Sequence, residues 1–263
     1  ASYDSYHYEQ AVSCIKANKH VFIEKPFCQN NSQFQKIKKL LFKKKVYFST
    51  NFVLRNHPKF VKIQDLVRKR KIGKIYHIEG DYNYGRLKKL TKGWRGRMPY
   101  YSVTQGGGIH MIDLMIWLTR SLPKDVFALG NKFSSKKSKF KYKDNVVSLI
   151  NFKNGVTGKV SSNFGSVTPH DHQMRVFGTK GTLILSNNIL EFYNSRNPNK
   201  KIIRMHFSKN KEYKKKILNK FIDLIIKKNK NKFIPTNEIF ASMKTCFAID
   251  KSLKLNKKVE VKI

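Results

Sequence analysis

Acid is what this sequence lacks most. In 263 residues it has 16 Asp and Glu against 55 Lys and Arg, a formal charge of +39. Such a chain draws polyanions nonspecifically at low salt. It carries no RNP-like, zinc-finger or basic-zipper motif, and its lysines are dispersed in short clusters such as Lys43-Lys44-Lys45 and Lys214-Lys215-Lys216. The charge therefore reads as solvated surface, and no specific nucleic-acid partner is expected. Cysteine is sparse: Cys14, Cys28 and Cys246 are odd in number and far apart, with no CxxC and no His/Cys cluster. That pattern suggests neither a disulfide framework nor a metal site, and fits a reducing, cytoplasmic setting. Long apolar runs are also missing. Stretches such as Phe221 to Ile226 are too short to span a bilayer, there is no signal-peptide pattern, and no membrane association is expected.

What is present is enough apolar material for a folded protein, 40% of residues with 13% aromatic. The first part alternates helix and strand signals. A helix over 4–18 places Tyr8, Ala11, Val12 and Ile15 on one face, and a strand over 21–23 follows. Asn31 or Ser32 can cap the next helix, which turns Phe34, Ile37, Leu40 and Leu41 inward. A strand over 46–50 precedes a helix started by Pro58, with Phe60, Ile63, Leu66 and Val67 as its stripe and Gly73 at its end. Alternation of this kind predicts a parallel sheet. The pattern then changes. A strand over 75–84 and a helix over 106–119 lead into strands at 126–133, 146–152, 157–164, 172–177, 182–186 and 189–193. Asn154-Gly155 and Asn187-Asn188 are hairpin turn signals between them. Helices over 212–228 and 236–255 and a strand over 259–263 close the chain. The expected fold is α/β followed by α+β: a parallel sheet in residues 1–73, then a mostly antiparallel open sheet in 74–263 with helices on one face.

Two segments carry chemistry. Glu24-Lys25-Pro26 directly follows the apolar run His20 to Ile23. Proline stops the strand, so Lys25 lies at its carboxyl end, where open α/β sheets bind ligands. A partly buried lysine there has a lowered pKa and can move protons; a surface Glu-Lys pair fits the tripeptide equally. The second segment is Gly106-Gly107-Gly108-Ile109-His110-Met111-Ile112-Asp113. Its glycines let backbone approach a ligand closely. His110 and Asp113 share a helix face, so Asp113 either orients the imidazole or forms a structural pair with it.

These segments, with 46–58, 72–75, Trp94-Arg95, Asp144-Asn145 and 178–182, occur in one order along nearly the whole chain. In that order they resemble the glucose–fructose oxidoreductase / inositol dehydrogenase (Gfo/Idh/MocA) family. The resemblance implies a Rossmann domain paired with a mostly antiparallel domain, and NAD(P)-dependent hydride transfer on a sugar, polyol or related carbinol. It implies Lys25 and His110 as the catalytic residues. Ser2, His7, Glu24, Lys25, Asn51, Trp94 and Arg95 would line the cofactor, NAD or NADP. Lys25, Tyr101, His110 and Asp113 would face the substrate. The resemblance also implies a homodimer or homotetramer, which relatives build through the open sheet face.

Two departures stand out. No GxGxxG occurs in the sequence, whose start corresponds to the late fourth strand of a Rossmann domain, so a fragment of a longer protein is expected. A non-catalytic sugar-binding or oligomerisation module is the alternative. Also, Gly106 stands where many relatives carry Asp or Asn: either the loop is repositioned, or Tyr100, Tyr101 or Gln105 fills that role.

Overall fold

The computed structural model describes residues 2–208, 212–227 and 234–263. Val21–Ile23 (β1) and Phe48–Thr50 (β2) form a parallel pair, with Val21 opposite Phe48 and Ile23 opposite Thr50. Helix α1 (His7–Lys16) precedes β1 and buries Ala11, Val12 and Ile15 as its spacing predicts. It is shorter than 4–18, because residues 4–6 form a turn. Helix α2 (Asn31–Lys43) is capped by Asn30, whose side chain accepts from Gln33 N at 3.0 Å, and not by Asn31 or Ser32. Several Asn residues adjoin there, and only backbone conformation selects among them. Helix α3 (Pro58–Arg68) starts on Pro58. Arg70, at φ 54°, ends it, and Gly73 belongs to the next turn.

Nine strands make the second sheet, in the order β10-β9-β8-β7-β3-β6-β5-β4-β11. They are β3 (Ile75–Asn83), β4 (Pro123–Asn131), β5 (Asn145–Phe152), β6 (Thr157–Asn163), β7 (Asp171–Gly178), β8 (Gly181–Ser186), β9 (Ile189–Tyr193), β10 (Ile203–His206) and β11 (Val259–Glu260). All neighbours are antiparallel except β3 and β6, which run parallel from His77↔Thr157 to Asn83↔Asn163. A helical crossover separates β3 from the β4–β5–β6 meander, and such a crossover is what a parallel pair requires. Gly155 (φ 84°) and Asn187 (φ 53°) turn the two hairpins predicted from sequence. Strand β10 was not predicted: within it only Met205 is partly buried, so no alternation marks it.

One face of this sheet is covered. Strand β5 alternates cleanly, with Val146, Ser148, Ile150 and Phe152 inward and Val147 and Leu149 outward. The inward face receives α5 (Ile109–Thr119), in which every residue but Trp117 is buried. The predicted helix over 106–119 starts later, because Thr104–Gly108 makes a π turn first. At Gly80 on β3 a Cβ would lie 3.0 Å from the methyls of Met111 and Met115, so the helix sits directly on the sheet. Helix α4 (Lys88–Thr91) is a single turn above β3. Helix α6 (Tyr213–Lys227) ends at the described boundary, and Lys228 lies outside the described residues. Helix α7 (Thr236–Leu255) joins the two sheets. Its Phe240 packs 5.1 Å from Phe34 on α2 and 6.4 Å from Phe48 on β2, with Phe27 5.1 Å from Phe48. Truncating one ring of such a cluster costs about 3–5 kcal/mol.

Candidate active site

Lys25 lies at the carboxyl end of β1, where Pro26 stops the strand. Its Nζ donates to the carbonyl of Gly106, 81 positions away, at 2.5 Å. Burial pulls the ammonium below its ordinary range, and Asp4 and then Glu24 partly oppose that pull. A lysine so placed gives up its proton more readily than a surface one. His7, buried on α1, holds the turn beside it. Its Nδ1 lies 2.8 Å from the Pro26 carbonyl, which only accepts, so Nδ1 carries the proton.

The turn that receives Lys25 shows why glycine occupies 106, 107 and 108. A Cβ on Gly106 would stand 2.2 Å from the Tyr101 hydroxyl, one on Gly107 2.4 Å from the Tyr82 ring, and one on Gly108 2.0 Å from Ser162 Oγ. These close approaches are to the protein's own side chains, not to a ligand as the sequence suggested. The Tyr101 hydroxyl takes the space a side chain at 106 would fill. Tyr100 and Gln105, the other two candidates, are engaged elsewhere. Both bind Asp250 Oδ2 on α7, at 2.9 and 2.8 Å, and Ser102 Oγ binds Oδ1 at 2.8 Å.

His110 opens α5 directly after this turn and is 8% exposed. Its ring meets Phe52, Tyr82 and His172 at centroid distances of 6.2–6.4 Å. Burial drives its pKa well below the usual imidazole value, and nearby Lys25, His172 and His170 push the same way. The ring is neutral at pH 7. Its Nδ1 is buried without a hydrogen-bond partner.

Asp113 does not turn toward this ring. Its oxygens accept from Arg55 Nε at 2.9 and 3.1 Å and from a terminal Arg55 nitrogen at 2.7 Å. The other arm of Arg55 reaches Glu238 on α7 at 2.7 Å. Burial raises Asp113 and Arg55 offsets part of that rise, leaving it at about 6, so the carboxylate is mostly ionised at neutral pH. Its work is structural: it pins the turn after β2 to α5.

Four residues on the site escaped the sequence reading. His170 and His172 stand 4.7 Å apart and face Tyr82 at 5.2 and 5.1 Å, forming a wall opposite Lys25. Their signal was the i, i+2 spacing at the start of a strand, which puts both on one side. Asp4 sits in the turn before α1, where Lys25, then His7 and Arg95, act on its carboxylate, although burial raises its pKa. Tyr3 stacks on Trp94 at 4.8 Å. Trp94 in turn lies under the Arg95 guanidinium at 4.4 Å, and Arg95 Nε donates to the Tyr101 hydroxyl at 3.1 Å.

The residues suit a nicotinamide group at the ends of β1 and β2. Asn51 Nδ2 donates to Glu24, fixing the side-chain amide, and its Oδ1 is buried with no partner, an acceptor aimed at a missing donor. The Ser2 hydroxyl donates to Gln10 Oε1 at 2.8 Å.

Known proteins are similar to this chain in sequence and in fold. Residues 1–52 match the model described as "Oxidoreductase family, NAD-binding Rossmann fold", and residues 60–184 match the "GFO/IDH/MocA C-terminal domain". The chain is 27% identical over 188 residues to myo-inositol 2-dehydrogenase of Thermotoga maritima, covering 69% of this chain and 53% of that protein. It thus spans about half the length of that curated relative. In fold it is similar to scyllo-inositol dehydrogenase from Lactobacillus casei, solved with NAD(H) and scyllo-inositol (TM-score 0.79, 19% identity, covering 99% of this chain and 78% of that one). It is similar also to myo-inositol 2-dehydrogenase from Lactobacillus plantarum (TM-score 0.81, 16% identity, 100% and 79%).

Proposed function

Because the chain belongs to the Gfo/Idh/MocA family, we propose that it is an NAD(P)-dependent oxidoreductase acting on a carbinol of a sugar, polyol or related substrate. One observation carries this reading. The Lys25 amine, at the end of a parallel strand, is tied to the turn that leads into His110, so the proton-moving group and the imidazole share one small space. A bound nicotinamide supplies the hydride acceptor, and Asn51, Glu24 and His7 would hold its ring end. In the oxidising direction the neutral amine of Lys25 takes the hydroxyl proton as the C–H electron pair leaves. The Gly106 carbonyl then stabilises the ammonium. Burial lowers the pKa of His110, which favours its neutral form. It serves as a neutral hydrogen-bond partner of the reacting oxygen. Asp113 is left out of the substrate set, because both its oxygens are engaged by Arg55.

Residues 1–73 and 74–263 would be the cofactor and substrate units. Homodimers or homotetramers belong to the same reading, since Leu129, Val147 and Leu149 leave an apolar stripe on the uncovered sheet face. Lys25→Met, assayed with NADH binding followed separately, is the direct test. Turnover should fall by about 10²–10⁴-fold with cofactor affinity kept. Undiminished turnover removes Lys25 from the mechanism.

A further inference from the structure

Helix α7 grips the turn that carries the Gly106 carbonyl, and it does so mainly through one carboxylate. Asp250 Oδ2 accepts from the Tyr100 hydroxyl at 2.9 Å and from Gln105 Nε2 at 2.8 Å, while Oδ1 accepts from Ser102 Oγ at 2.8 Å. The same Ser102 hydroxyl accepts from Gln105 N at 3.3 Å, and the Ser102 carbonyl accepts from Gly106 N at 2.8 Å. Gln105 Nε2 also lies 3.4 Å from the Gln29 carbonyl, in the loop that follows Lys25 and Pro26. Through Ser102, then, Asp250 is linked to the backbone of Gly106, and the Gly106 carbonyl in turn holds Lys25. One helical turn earlier on α7, Cys246 Sγ approaches the Thr104 carbonyl at 3.9 Å.

Two features set this carboxylate apart. The chain has 55 Lys and Arg, yet among the described residues none stands at ion-pair distance from Asp250, whose hydrogen-bond partners are neutral donors. A carboxylate binds such donors more strongly than a neutral acceptor does, and it fixes their directions. The turn it holds, moreover, has no anchor of its own. Thr104–Gly108 is a π turn without a side-chain cap, and three of its five residues are glycines. Backbone so poor in side chains takes its position from its neighbours.

We propose that Asp250 is a positioning residue of the site: through Ser102 and Gln105 it holds the π turn so that the Gly106 carbonyl stays on the Lys25 amine. This deepens the oxidoreductase reading and rests on it only for what Lys25 does in the reaction.

The test reads Lys25 itself. Competitive labelling of amines with acetic anhydride across the lysine titration range, followed peptide by peptide by mass spectrometry, gives the pH midpoint at which each lysine becomes reactive. Around Lys25 stand Asp4, Glu24, Arg95 and Cys246, with His110 and His172 also acting on it, and all of them are left in place. Burial lowers Lys25 most, so a loosened turn that lets water reach the amine weakens the main cause. In Asp250→Ala the Lys25 midpoint should rise by about one pH unit towards that of an ordinary lysine. Asp250→Asn keeps one oxygen for Tyr100 and Gln105 and should move it less. Ser252→Ala is the structural control. Ser252 lies two residues further along α7, accepts from Ala128 N at 3.0 Å and donates to the Lys257 carbonyl at 2.7 Å, so its hydroxyl ties α7 to β4 and not to the turn. Its loss should lower the urea midpoint and leave Lys25 where it was. Gln105→Ala cuts one link while keeping the carboxylate and should repeat the rise; it decides the matter if Asp250→Ala does not fold. A Lys25 midpoint that stays put in Asp250→Ala, or in Gln105→Ala where the first does not fold, overturns the proposal. An equal rise in Ser252→Ala overturns it too, since any loosening of α7 would then suffice. The labelling uses neither cofactor nor substrate. Absence of NADH binding would therefore count against the oxidoreductase reading and leave a positive result for Asp250 standing.

Discussion

Arg55 and Asp113, 58 positions apart, are joined through both carboxylate oxygens at 2.7–3.1 Å in a place with almost no solvent access. The pair bridges the turn after β2 and the helix that opens with His110, and Glu238 extends it to α7. Removing one partner leaves the other charge buried and alone. Asp113→Ala should therefore lower unfolding free energy by about 3–5 kcal/mol, measured by urea denaturation. Replacing both residues with apolar ones of similar size, Arg55→Met with Asp113→Leu, should cost less than the single change. A double variant as unstable as Asp113→Ala would contradict this account.

Lys25 sets a pH dependence. Its pKa in the folded protein lies below 10.5, so the amine becomes neutral at lower pH than a free lysine. Oxidation needs the neutral amine, so kcat/KM for the alcohol should rise with pH and level off below that value. Reduction needs the ammonium and should fall over the same range. A rising limb that persists in Lys25→Met would assign it to another group.

Gly106→Ala should overpack the turn. The added carbon would meet the Tyr101 hydroxyl at 2.2 Å and its ring carbon at 2.7 Å. The expected cost is about 1–3 kcal/mol, with lost activity as the carbonyl that holds Lys25 shifts. Tyr101→Ala in the same chain should restore part of the stability. No recovery in the double variant would mean that the strain lies elsewhere.

Acid should unfold this protein early. His57 and His170 have folded pKa values near 4, pushed down chiefly by burial, and His110 and His172 are also depressed. In the unfolded chain these groups titrate near 6.5, so between about 6.5 and 4 the unfolded state binds more protons. Their stabilising effect is complete above that window and is lost as pH falls through it. The urea midpoint should drop between pH 7 and pH 5, with a shallower slope in His170→Gln. A flat profile would refute the neutral assignment of these rings.

Much of this was readable in advance, for a physical reason. Local signals foretold what is local: the strand before Lys25, the Pro58 start of α3, the hairpins at Asn154 and Asn187, and the clean alternation of β5. The misses at the site are matters of long-range packing. His110 and Asp113 share a helix face in any sequence reading, but Arg55 arrives from the turn after β2 and takes the carboxylate. The three glycines promise close approach without saying to what, and the answer, Tyr101, Tyr82 and Ser162, depends on how β3 and β6 pair. His170 and His172 become site residues only because β7 lies beside β3. Strand β10 is exposed except at Met205 and so leaves no pattern to read.

The 2.5 Å contact between Lys25 and the Gly106 carbonyl has a consequence in time. One end follows β1 and the other lies in the π turn before α5, and the wall of the site comes from a strand that follows both. No early, locally folded intermediate can hold these groups together, because closing so long a loop is the slow part of folding. In a refolding experiment helical signal should return first and the perturbed amine last. Until then the chain carries only an ordinary surface lysine, and its reactivity is dormant until the two halves have met.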